Sequence, residues 1–255
     1  MTRSFAGAGT ALVTPFTKTG ALDEPALRRL VRRQVDARID VLVPCGTTGE
    51  APTLSDDERD RLIAATVETV AERPSRARVA VVAGTGTNVD VDTFLRLAEH
   101  PRVVAVKEAS GNLEQIARIC RDRPRDVAVL AGDDAWTLAV LALGGDGVVS
   151  VASNEIPGEM VALCAAARAG DWASARTHHE RWLPLFLANF RGGPNPVPAK
   201  AALVLMGLLD SDAVRAPLLP LDAEPRASLA TVLRASGLVE PAGGRFAADR
   251  REAIA

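Results

Sequence analysis

Short β-branched runs alternate with longer segments of helical periodicity from Thr10 to Val151. The runs are Thr10–Val13, Val41–Val43, Val79–Val82, Val103–Val106, Val127–Leu130 and Gly147–Val151. They are apolar on both faces, which suits a parallel sheet covered by helices. Between them, Leu27, Leu30, Val31 and Val35 follow helical spacing. Ser55-Asp-Asp-Glu58 is a capping box for a helix reaching about Glu72. Further helices are expected near Asp92–Glu99, Leu113–Cys120 and Trp136–Leu143. From about Glu155 the pattern is helical, through Ala167, Ala173–Phe190, Pro196–Leu208 and Ala223–Ala235. Six such strands leave an open doubly wound sheet and a barrel as alternatives. In both, functional groups gather at the carboxyl ends of strands. The polar clusters obey that rule: Thr14, Gly46–Glu50, Gly84–Asn88, Lys107–Ser110, Gly132–Asp134 and Ser150–Asn154 all follow strands.

Composition narrows the function classes. Of 255 residues 47% are hydrophobic, and the net charge is -2, so the chain is neither disordered nor basic enough to be a nucleic-acid binder. No apolar run is long enough to span a bilayer, and Met1–Gly9 lacks the apolar core of a signal peptide. Cys45, Cys120 and Cys164 are too widely spaced for a zinc motif, and their odd number gives no disulfide framework. The expected location is the reducing cytoplasm.

Lys and Arg together number 30, but only Lys18, Lys107 and Lys200 are lysines. Where a generic positive charge suffices, this chain uses Arg, so each retained Lys asks what Arg could not do there. Arg keeps its proton, whereas a desolvated Lys becomes a neutral nucleophile. Lys107 directly follows Val103–Val106 and so sits at the end of an expected core strand. An ammonium there must be paired, for instance with Glu108, or neutralised. A neutral amine in that place suits Schiff-base chemistry with a carbonyl substrate.

The other motifs are weighed in the same way. Gly46-Thr-Thr-Gly-Glu50 offers hydroxyls and amides to a carboxylate, or is a turn with local hydrogen bonds. Gly84-Thr-Gly-Thr-Asn-Val89 lacks the third glycine of a dinucleotide fingerprint and is rejected as one. Gly132-Asp-Asp134 reads as a turn and helix cap ahead of a metal ligand pair. His178-His-Glu180, in a helical stretch, reads as a solvated surface ahead of a metal site.

Together the motifs are specific. Ala11-Leu-Val-Thr-Pro-Phe16, Cys45-Gly-Thr-Thr-Gly-Glu50, Ala83-Gly-Thr-Gly86, Val106-Lys-Glu-Ala-Ser-Gly-Asn112, Ala131-Gly-Asp-Asp134, Gly144-Gly-Asp-Gly-Val-Val-Ser-Val151 and Asn195-Pro-Val-Pro198 occur in one order. Their set resembles the dihydrodipicolinate synthase / N-acetylneuraminate lyase family over nearly the whole chain, and its synthase branch most. The resemblance implies a (β/α)8-type barrel in which a lysine forms a Schiff base with pyruvate. Residue by residue it implies Lys107 as that lysine and Thr47 as a proton-relaying hydroxyl. It implies Thr48, with Gly49 beside it, as the pyruvate-carboxylate binder, and Gly132 and Val149 as pocket lining. It implies no cofactor and no metal, a small-molecule aldehyde as second substrate, and a homo-oligomer.

The chain departs from the family between Asn88 and Asp92, where two strand–helix modules are missing, about 60 residues at roughly 30 per unit. In the family that segment carries a relay tyrosine, a second tyrosine lent by the neighbouring subunit, and an arginine for the aldehyde's carboxylate. This chain has no Tyr at all. The expected fold is therefore a TIM-barrel derivative with six core strands, closed more narrowly or gapped between Val79–Ala83 and Val103–Val106. Residues 1–154 would form the barrel core, and 155–255 the last barrel helix and a C-terminal helical extension of the same unit. Two functions follow: a pyruvate-dependent lyase, with an N-acetylneuraminate lyase-like aldolase as a variant, or a catalytically impaired remnant of one.

Overall fold

The structure is a computed structural model that describes residues 5–75, 77–82 and 88–240. The elements alternate as the periodicity predicts: β1 (Gly7–Ala11), α1 (Glu24–Asp36), β2 (Val41–Val43), α2 (Asp56–Ala71), β3 (Arg78–Val79), α3 (Val91–Ala98), β4 (Ala105–Glu108), α4 (Leu113–Asp122), β5 (Ala128–Ala131), α5 (Thr137–Ala142), β6 (Gly147–Ser150), α6 (Pro157–Arg168), α7 (Trp172–Ala188), α8 (Val197–Leu205) and α9 (Ala223–Ala235). The six strands form one parallel sheet in the order β3-β2-β1-β6-β5-β4. This is a TIM-barrel-like arrangement that stays open. Among the described residues, β3 and β4 have no strand on their far sides.

Several boundaries differ from the sequence expectation. The first strand starts at Gly7 rather than Thr10, because Gly7 pairs with Gly147 at a separation that admits no side chain. A Cβ on Gly147 would lie 1.9 Å from the Gly7 carbonyl oxygen. Glycine is depleted in strands in general, and this close backbone approach is the local exception. The run Val79–Val82 pairs with β2 only, and its ladder ends early, at Val79. Val103 is taken up by a turn, its N–H donating to the His100 carbonyl at 2.9 Å. The fourth strand therefore begins at Ala105 and includes Lys107 and Glu108. The Trp136–Leu143 helix divides into a 3-10 turn (Asp134–Trp136) and α5. The Gly84–Thr87 part of the rejected fingerprint lies outside the described residues.

Alternation along the strands sorts the core into two layers. Leu12, Leu42, Val129, Ala131 and Val148 pack outward against the helices, in a cluster that runs through Ile116, Met160 and Phe186 to Leu233. Ala11, Val41, Val43, Leu130 and Val149 face inward and form a second apolar cluster. The helices start as their sequences dictate. Ser55 and Glu58 make both bonds of the capping box at α2, and Asp23, Asp90, Asn112 and Asp171 cap α1, α3, α4 and α7.

The interior is accessible through the opening between β3 and β4. There a cavity of about 800 Å³ is walled by Val43, Val82, Val106, Lys107, Leu130 and Val149, among others. Asn88 and Gln115 exchange amide hydrogen bonds at 2.9 and 3.1 Å, and α3 packs on α4. No helix among the described residues is long and apolar enough to cross a membrane.

Candidate active site

Lys107 is the third residue of β4, in register with Leu130 of β5. Register partners in a parallel pair point to the same face, so its side chain joins the inner layer with Leu130 and Val149. Glu108 points the other way. It is buried and accepts from the Ser110 N–H at 2.7 Å, from the Ser110 hydroxyl at 3.3 Å and from Gln115 at 3.2 Å. The expected alternative, a Lys107–Glu108 pair, is thereby excluded. Among the described residues no carboxylate comes within ion-pairing distance of the Lys107 amine. Burial pushes its pKa down, and the charges of Asp134 and Asp133 pull it partly back. Gly132 makes room for the lysine stem, since a Cβ there would sit 3.0 Å from the Lys107 Cε and 2.5 Å from the Ala109 Cβ. Lys107, Gly132 and Val149 thus lie together on the inner face.

The Gly46–Glu50 turn closes the carboxyl end of β2, separated in the sheet from Lys107's strand by β1, β6 and β5. Thr47 is exposed, its hydroxyl bonded to none of the described residues. Thr48 is buried, and its Oγ1 accepts a hydrogen bond from Asn195 Nδ2 at 2.9 Å. The Gly49 N–H, expected to serve a carboxylate, is bonded to the Gly46 carbonyl at 3.0 Å. The Gly49 carbonyl accepts from Thr14 Oγ1 at 2.7 Å. A side chain at Gly49 would crowd the Cys45 backbone and the Leu12 carbonyl.

Glu50 ends the turn in the left-handed region, at φ 56°, a strained place for a non-glycine residue. Its carboxylate explains how it is held. Oε1 accepts from Lys200 Nζ at 2.8 Å and Oε2 from the Arg215 N–H at 2.9 Å. Both side chains of the Lys200–Glu50 pair are fully buried. Lys200 also donates to the Ala213 carbonyl. The Lys200 ammonium and the Arg215 guanidinium lie over the Phe16 ring, at 4.4 and 4.2 Å. Arg215 in turn grips Glu58, whose carboxyl it holds down at a pKa of about 2.

Two motifs set aside at first have structural work. Asp133 caps the 3-10 turn, as expected of Gly132-Asp-Asp134. Asp134 is fully buried; its Oδ2 accepts from the Val151 and Ala152 N–H groups at 3.1 and 2.9 Å. Burial raises its pKa to about 6. The solvated reading of His178-His-Glu180 holds for Glu180 alone. His178 Nδ1 is 2.9 Å from Glu159 on α6, and His179 is half-buried with its ring against Phe186, two turns further along α7, because this stretch of α7 packs on α6. Among the described residues no cluster of His, Cys, Asp or Glu is arranged to hold a metal ion.

Sequence reasoning placed Asn195 in the Asn195-Pro-Val-Pro198 motif without a role, and missed Lys200 and Arg215. Lys200 carried a signal, as one of three lysines in an arginine-rich chain. Arg215 carried none.

The sequence profile of the dihydrodipicolinate synthetase family matches residues 4–90 and 80–236. The chain belongs to this family. It is 40% identical to the 4-hydroxy-tetrahydrodipicolinate synthase of Koribacter versatilis, covering 92% of this chain and 97% of that one. It is 37% identical to that of Chloroherpeton thalassium, over 93% and 97%. Among solved structures, the Cyanidioschyzon merolae enzyme with lysine bound superposes with a TM-score of 0.88 at 32% identity, covering 93% of this chain and all of that one. The Thermotoga maritima dihydrodipicolinate synthase gives 0.84 at 32% identity. The chain is thus a family lyase, similar along most of its length to 4-hydroxy-tetrahydrodipicolinate synthases. It is also shorter than they are. The Koribacter alignment runs over 294 positions, while 92% of 255 residues is about 235, leaving about 59 positions unmatched here. That is the size of two strand–helix units.

Proposed function

We propose that this chain joins pyruvate to an aldehyde through an imine on Lys107, with L-aspartate 4-semialdehyde as the aldehyde used in its family. Lys107 itself carries the reading: an amine on an apolar inner face, without an ion-pair partner among the described residues, its ammonium form disfavoured by burial. The neutral amine adds to the ketone carbon of pyruvate, and loss of water leaves the imine. Loss of a methyl proton then gives the enamine, whose carbon attacks the aldehyde. Thr48 receives the pyruvate carboxylate. Gly132 and Val149 shape the space around the ketoacid, and Thr47 passes protons at the exposed rim.

The absence of Tyr sets the rate. General acid–base groups contribute about 10²–10⁴-fold each, and Thr47 works here without phenols. The imine forms, and condensation is slow. Assembly with a second copy covers the apolar surface at the open side of the sheet. Three free cysteines suit a reducing cytoplasm.

Exchange of the pyruvate methyl protons in deuterated water tests the reading, because it requires only imine and enamine. The expected result is exchange above the buffer rate in the wild type and none in Lys107→Ala. Exchange that survives in Lys107→Ala overturns it.

A further inference from the structure

We infer that Asn195 is a positioning residue for carboxylate binding, setting the polarity of the Thr48 hydroxyl; this rests on the reading of Thr48 given above. A hydroxyl carries one proton and two lone pairs. Because Asn195 Nδ2 donates to Thr48 Oγ1 at 2.9 Å, one lone pair is occupied and the Thr48 proton is free to be donated elsewhere. A carboxylate offers only acceptors, so this is the polarity a ketoacid carboxylate needs. Thr48 is buried, and water does not readily reverse the arrangement.

The same stretch of chain fixes the turn a second time. Five residues beyond Asn195, Lys200 holds the Glu50 carboxylate at 2.8 Å inside the protein. The chain entering α8 therefore grips the turn at Thr48, through Asn195, and at Glu50, through Lys200, on either side of Gly49. The Glu50 contact holds the backbone in its left-handed bend, and the Asn195 contact directs the hydroxyl. Of the two, only Asn195 reaches an atom assigned to substrate.

The test reads the ketone concentration that half-saturates borohydride trapping, with two ketones: pyruvate, and acetone as a methyl ketone without a carboxylate. Variants are Asn195→Ala and Asn195→Asp. Asp is nearly isosteric but can only accept at neutral pH, so it draws the Thr48 proton to itself and sets a negative charge beside the carboxylate. A hydrogen bond to a charged group is worth about ten-fold to a hundred-fold in binding. The expected result is a rise of that order in half-saturating pyruvate for both variants, larger for Asp, with acetone trapping unchanged. Equal losses for pyruvate and acetone mean general disruption of the site and overturn the inference. An Asn195→Asp protein that traps pyruvate like the wild type also overturns it. A wild type that forms no adduct with pyruvate defeats the underlying reading of Lys107 and this inference together, a result distinct from the previous two.

Discussion

At the scale of single residues, the chemistry rests on how burial treats two ionisable groups. The Lys107 pKa is lowered by burial, with Asp134 and Asp133 opposing. The nucleophile is the neutral amine, so its addition to a ketone speeds up with pH and levels off above its pKa. Trapping rates measured against pH should level off below the ordinary lysine range, and Asp134→Asn should move the inflection lower still. Asp134 is the opposite case. Its pKa is about 6 in the folded chain against an ordinary 3.8, so the folded state holds more protons between those values. Its contribution is complete below pH 3.8 and is lost as pH rises through 6, by about 3 kcal/mol. Urea denaturation at pH 4.5 and pH 7 spans about 2 kcal/mol of that loss, so the wild type should lose about that much more than Asp134→Asn, in which the buried Glu155 still gives a loss of the same sign. Lys107 was legible because lysine is so scarce in this sequence, and Gly132 because its motif is short and specific. Asn195 was not legible, because its meaning depends on Thr48, 147 positions away.

At the scale of elements, the helices were the most readable parts and the strands the least. The start of α2 follows from Ser55 and Glu58, whose reciprocal bonds are local, and α9 spans the residues its periodicity predicts. Strand ends depend on neighbours. The third strand is short where, among the described residues, it pairs with β2 alone, and the first extends over glycines because Gly147 lies opposite. The turn that follows β2 depends on α8, which is distant in sequence. Removing one partner of a buried ion pair leaves the other charge stranded and costs about 3–5 kcal/mol. Lys200→Met should destabilise the protein by that amount in urea denaturation, whereas Lys18→Met at an exposed position should change it by under about 0.5 kcal/mol.

At the scale of the whole molecule, the chain shows what a barrel sheet becomes when two units are absent. Sequence could name a closed narrow barrel or a gap; among the described residues β3 and β4 do not pair, and the sheet is open there. The strands on either side, β3 and β4, are left as edges, and Val81 and Val104 beside them are 63% and 42% exposed. Unpaired parallel edges with apolar flanks recruit other chains. Sedimentation velocity across a hundred-fold range of concentration should show self-association, and a single monomeric species throughout would contradict it. The inner layer around Lys107 survives the gap, because Ala11, Leu130 and Val149 come from the retained strands β1, β5 and β6. The central claim is that this reduced sheet still builds an imine-forming lysine. Intact-mass and peptide mapping after incubation with pyruvate and borohydride test it most directly. The account predicts one reduced pyruvate adduct per chain, on Lys107, absent from both Lys107→Ala and Lys107→Arg. No adduct at saturating pyruvate, or an adduct on Lys18 or Lys200 in place of Lys107, would contradict it.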